Sequence, residues 1–105
     1  VMLTDMREFI TGSGTGNLSL IKKAIPGGIL RALNDKKELN TTTANDKEDI
    51  VIDDCGFDYI AVVPVTYGNE VRGGLCLLSG EPVREDEMSL LATVAKIISE
   101  TLPKV

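Results

Sequence analysis

The fold is decided between residues 58 and 102. The segment reads Asp58-Tyr59-Ile60-Ala61-Val62-Val63-Pro64-Val65, then Tyr67-Gly68-Asn69-Glu70, then Val71-Arg72-Gly73-Gly74-Leu75-Cys76-Leu77-Leu78. Arg84-Glu85-Asp86-Glu87 follows and leads into a long apolar helix that Pro103 stops. Two apolar, β-branched runs separated by a glycine turn predict two buried strands joined by a tight hairpin. With the helix behind them they form one packed unit.

That helix carries two apolar stripes. Met88, Leu91, Ala95, Ile98 and Leu102 follow steps of three and four, and Leu90, Val94 and Ile97 repeat the rule on a neighbouring face. A helix with one face in water needs only one such stripe. Burying a Leu or Ile side chain is worth roughly 1.5–3 kcal/mol, so three left exposed would be a costly, adhesive patch. One stripe is therefore expected on the sheet. The other, Leu90, Val94 and Ile97, is expected to meet a second helix, from an upstream segment or from another copy of the chain.

Working outward, Val1-Met2-Leu3-Thr4 and Glu8-Phe9-Ile10-Thr11 read as a hairpin around Asp5-Met6-Arg7. The run Gly12-Ser13-Gly14-Thr15-Gly16-Asn17 reads as a loop. Asn17 can cap a short helix reaching about Lys23. Pro26 fits the first turn of a second helix over residues 26–34, burying Ile29, Leu30 and Leu33. Residues 36–49 are polar with little periodicity and read as a surface connection. Ile50-Val51-Ile52 reads as a short edge-like strand, and Cys55-Gly56 as a bend. The chain opens inside an apolar run, Val1-Met2-Leu3, with no preceding turn or cap, and is expected to be a fragment whose upstream residues are missing.

A chain of 105 residues, 43% hydrophobic and 26% charged, is one globular domain, here residues 1–105. A net charge of −5 argues against this domain gripping nucleic acid or an anionic membrane, both of which need a basic face. There is no histidine, which excludes a His-based triad, and the two cysteines, Cys55 and Cys76, lack zinc-ligand spacing. No apolar run reaches membrane-spanning length and none resembles a signal peptide, so a cytoplasmic, reduced protein is expected. The strand and helix order predicts an α+β fold, an antiparallel sheet with helices on its faces.

The series Val63-Pro64-Val65, Gly68, Val71, Gly73, Leu75-Cys76-Leu77, Glu85-Asp86-Glu87, Leu90-Leu91-Ala92 and Ala95 resembles the C-terminal half of a GAF domain. The resemblance implies a GAF-like (PAS/profilin-like) antiparallel sheet of five strands with helices on both faces. Over nearly the full chain, Leu3-Thr4-Asp5, Phe9-Ile10, Ser13-Gly14, Leu18, Ile21 and Ile29-Leu30 are similar to the C-terminal sensor of the stage V sporulation protein T family. That family joins a dimeric, swapped-hairpin DNA-binding domain to such a sensor in spore-forming bacteria. Set against that family, the chain is expected to lack the DNA-binding domain and the first, upstream sensor helix, and its Gly12–Gly16 loop and Pro26-Gly27-Gly28 break are glycine-rich where the family has polar helix formers.

In GAF-like domains the loops and helices between the second and third strands roof the ligand pocket. The resemblance therefore implies Ser13, Thr15 and Asn17 as ligand-binding candidates, with Tyr59 or Phe57 lining the pocket. Backbone N–H groups at Gly14, Thr15 and Gly16 could cradle an anion. The loop lacks the Gly-Lys-Ser/Thr ending of a P-loop, however, and a plain turning connection explains it as well. Cys55 beside Asp53 and Asp54 reads as an inert surface thiol, since neighbouring carboxylates raise a thiol pKa. One GAF-type family reduces methionine sulfoxide with cysteines, and its cysteine pattern is not matched here. The carboxylates Asp46, Glu48, Asp49, Asp53 and Asp54 fit no EF-hand and read as a solvated acidic edge.

The expectation is a non-catalytic regulatory sensor of a bacterial, sporulation-type transcription regulator. It would bind a small molecule, assemble as a homo-oligomer through Leu90, Val94 and Ile97, or do both. No metal or cofactor is expected, and DNA would be reached only through a separate N-terminal domain. The alternatives are a purely structural dimerisation module with an empty pocket, and a roadblock- or profilin-like interaction module.

Overall fold

The computed structural model describes residues 1–12, 23–52 and 56–101. The strands are β1 (Met2–Thr4), β2 (Phe9–Gly12), β3 (Leu39–Thr42), β4 (Ala44–Asn45), β5 (Ile50–Val51), β6 (Tyr59–Tyr67) and β7 (Glu70–Ser79). The helices are α1 (Gly27–Asn34) and α2 (Glu85–Thr101). Five strands form one antiparallel sheet in the order β2-β1-β7-β6-β3, and β4 pairs with β5 apart from it.

The β6–β7 hairpin is the centre of the sheet, as its apolar runs predict. Tyr67 pairs with Glu70 across Gly68-Asn69, and Gly68 takes the left-handed conformation (φ 63) that a two-residue hairpin turn requires. Strand periodicity sends alternate side chains to opposite faces. Ile60, Val62, Cys76 and Leu78 point to one side with Met2 and Phe9, where α1 supplies Ile29 and Leu33. Ala61, Val63, Val65 and Leu75 point to the other, where α2 supplies Leu91 and Ala95. The domain thus has two cores, one on each face of one sheet, and a continuous apolar strand is what such burial selects.

The first hairpin is held by Asp5, whose Oδ1 accepts the N–H groups of Arg7 (2.7 Å) and Glu8 (2.8 Å). These bonds hold the Asp5 carboxyl below the usual carboxylate range. Helix α1 starts after Pro26, as its fixed φ favours. It buries Ile29 and Leu33, with Leu30 half-buried.

Three expectations are corrected. Residues 36–49 are not a plain connection: Leu39–Thr42 is the edge strand of the main sheet, and Leu39 pairs with Val62 and Thr42 with Tyr59. Ile50–Val51 is not that edge but pairs with Ala44–Asn45 in a small hairpin, with a single 3₁₀ turn at Asp46–Glu48. That hairpin packs on α1 and drives Ile50 into the core beneath it. Lys23 is not helical but precedes Ala24, which bridges to Glu8. The rest of the expected capped helix, the glycine-rich run from Ser13 to Asn17, Cys55, Leu102 and Pro103 lie outside the described residues.

Candidate functional site: an apolar trough beside the last helix

The two stripes of α2 separate as their spacing predicts. Leu91 and Ala95 are buried on the sheet, and Leu90 (66%), Val94 (37%) and Ile97 (55%) are exposed. Helix α2 lies mainly over β6. It packs less on β7, so the β1 and β2 side of the same sheet face is the less covered part among the described residues.

Side chains along this strip make it apolar. Val1, Leu75, Leu77, Leu90, Leu91 and Val94 line a groove of about 240 Å³, with Glu87 at its rim. Leu3, Ile10, Val65, Gly73 and Ile98 line a second hollow of about 120 Å³, with Arg72 at its mouth. Both hollows, together the trough, lie between α2 and the sheet. The exposed large apolar residues among those described are Val1, Ile10, Val51, Leu90, Val94 and Ile97. All but Val51 stand on this face or on α2.

The charges at the trough are already engaged. Glu87 Oε1 accepts the Arg84 N–H (3.2 Å) and pairs with its guanidinium (3.3 Å). Arg72 lies 3.5 Å from Glu70 and over the Tyr67 ring at 5.9 Å. A bulge at Arg72 shifts the register, so that Val65 faces Gly73 and Thr66 faces Val71. Ser99 Oγ of α2 accepts the Thr66 N–H at 3.1 Å and fixes the helix there. Such a surface receives apolar side chains and offers no acid–base pair.

The other sequence candidates do not converge here. Ser13, Thr15 and Asn17 lie outside the described residues. Tyr59 is half-buried at the start of β6, and alternation sets it on the Ala61 and Val63 side, away from α1. Phe57 is the aromatic that packs against the α1-side core. Cys76 is fully buried in β7, and burial pushes its thiol up to about 12, so it holds no thiolate at neutral pH. Among the described residues no cluster of His, Cys, Asp or Glu could hold a metal ion, and no helix is long and apolar enough to cross a membrane.

No family model and no curated protein matches the chain. A solved structure does. The type II free methionine-R-sulfoxide reductase from Thermoplasma acidophilum is similar over 94% of this chain and 74% of its own, with a TM-score of 0.66 and 14% identity. The fold is GAF-like. This agrees with the expected five-stranded antiparallel sheet and helices on both faces, although β3 replaces the strand expected at residues 50–52. The likeness corrects the expectation of a non-catalytic domain. The same frame serves a reductase, so the want of a nucleophile–base pair does not place a GAF-like chain outside enzymes.

Proposed function

We propose that this chain is the regulatory domain of a bacterial, sporulation-type transcription regulator, assembling with a second copy through α2. The observation that carries the assembly is the exposed stripe Leu90, Val94 and Ile97 beside the apolar groove that Val1, Leu75 and Leu77 line. A patch of this kind on one face marks an interaction surface. The regulator part rests on the sequence resemblance to the sporulation family. In this reading DNA contact falls to a separate N-terminal domain, which the net charge of −5 on this chain favours, and the setting is cytoplasmic. Solution mass, with and without Leu90→Glu, tests the assembly.

In this reading a small molecule on the α1 side, contacting Ser13, Thr15 and Asn17, biases the packing of α1 on the sheet. The ligand shifts that equilibrium only by its differential affinity for the two packings. A thermal-shift screen of metabolites, nucleotides and amino acids tests this. A ligand at 100 times its Kd adds about 2.7 kcal/mol, and no hit would leave assembly as the whole function.

The reductase likeness supports a second reading, thiol chemistry on free methionine-R-sulfoxide. The buried Cys76 does not supply the thiolate, so Cys55 would. Turnover with an added dithiol, which takes up the oxidation of the cysteine as the sulfoxide is reduced to the thioether and water, that survives Cys76→Ala and is lost in Cys55→Ser supports this reading, and no such turnover in the unsubstituted chain removes it.

A further inference from the structure

The two faces of the sheet are tied together around its β3 edge by a run of hydrogen bonds. It starts on α1. The Gly28 N–H donates to the Asp49 carbonyl oxygen (3.0 Å), and Arg31 Nη2 donates to the Glu48 carbonyl oxygen (2.9 Å). Gly28 is required for this approach, because a Cβ there would overlap the Glu48 carbonyl oxygen.

Within the small hairpin the Glu48 N–H donates to Asn45 Oδ1 (3.3 Å). Asn45 Nδ2 then donates to Thr41 Oγ1 on β3 (2.9 Å). The adjacent residue on β3, Asn40, donates from Nδ2 to the Val83 carbonyl oxygen (2.9 Å). Val83 is buried in the α2-side core, two residues before α2 begins.

The hairpin base is fixed by Thr43, which is buried and bonded three ways. Its N–H donates to the Asp58 carbonyl (2.9 Å), its hydroxyl donates to the Phe57 carbonyl (2.7 Å), and its own carbonyl accepts the Ile52 N–H (2.9 Å). A hairpin held at both ends moves with β3. An edge strand has a ladder on one side only, so β3 shifts at the loss of fewer bonds than β6 or β7.

We propose that this run is a mechanical link that carries a displacement of α1 through residues 44–51 and β3 to Val83, and so to the start of α2. Asn40 is its positioning residue. The regulatory use of the link rests on the assembly reading above; the coupling itself does not.

Amide hydrogen exchange on the full chain tests it, comparing the unsubstituted protein, Gly28→Ala, Asn40→Ala and the double variant. Gly28→Ala pushes the hairpin off α1. The link predicts roughly fivefold or faster exchange at residues 87–90, the low end of couplings between sites, with central β6 and β7 amides unchanged. It also predicts that Gly28→Ala has no such effect once Asn40 is Ala. Unchanged amides at 87–90, an equal effect in the Asn40→Ala background, or an equal rise throughout β6 and β7 would each overturn it. If Gly28→Ala does not fold, Arg31→Ala removes the second bond to the hairpin from an exposed position and is read in the same way. Light scattering on Asn40→Ala keeps failure of the link distinct from failure of the assembly reading.

Discussion

Gly28 and Asp49 meet backbone to backbone, N–H to carbonyl oxygen at 3.0 Å, where α1 runs against the small hairpin. Asp49 itself is in the left-handed region (φ 56), a conformation that short polar side chains tolerate best. Any side chain at Gly28 would drive the Glu48 carbonyl and Ile50 away, and Ile50 is fully buried.

Gly28→Ala is therefore expected to destabilise by about 1–3 kcal/mol, the usual cost of overpacking, although alanine is the better helix former. Gly80 has open space around it, and Gly80→Ala is expected to stay within about 0.5 kcal/mol. Urea unfolding midpoints at constant slope measure both.

Lys36 ends α1 in the opposite sense. Its N–H donates to the Leu33 carbonyl and the Lys37 N–H to the Ala32 carbonyl, the paired bonds of a Schellman motif, with Lys36 at φ 56. Glycine is the usual residue there. A non-glycine in this conformation costs about 1–2 kcal/mol, partly offset by the greater unfolded-state freedom of glycine. Lys36→Gly is expected to stabilise by about 0.5–1 kcal/mol, read as a rise in Tm.

Cys76 makes stability fall on the alkaline side. Its folded pKa is raised to about 12, above the ordinary 9.0, because burial disfavours the thiolate. Below pH 9 both states hold the proton and the contribution is fully present. Between 9 and 12 only the unfolded state releases it, so stability drops by about 1.4 kcal/mol per pH unit from this group. In Cys76→Ala the constant loss of packing remains and this slope disappears. Chemical denaturation from pH 8 to pH 10.5 on both proteins checks the difference.

The sheet centre and α2 were legible because their patterns are strong. Ile60, Val62, Ala61 and Val63 leave no polar side to a strand packed on both faces, and the two stripes of α2 separate cleanly by exposure. β3 was illegible for the opposite reason. Leu39-Asn40-Thr41-Thr42 has one apolar residue, and its exposed face alternates with a half-buried one on an edge. Its place is set by pairing with β6 and by Asn40 and Thr41 side-chain bonds, which are tertiary facts. Ile50–Val51 carries the stronger strand composition, yet pairs with Ala44–Asn45 in the small hairpin. Tyr59 is legible only in part. Alternation along β6 fixes that Tyr59 shares the side of Ala61, but only the packing shows which helix lies there.

In the assembly proposed above, a second copy of the chain covers Leu90, Val94 and Ile97. Light scattering at micromolar concentration tests it most directly, on the unsubstituted protein and on Leu90→Glu, which places a charge on an exposed stripe without touching either core. Assembly through the stripe gives a mass of at least twice 11.3 kDa for the first and 11.3 kDa for the second. A mass of 11.3 kDa for both would contradict it.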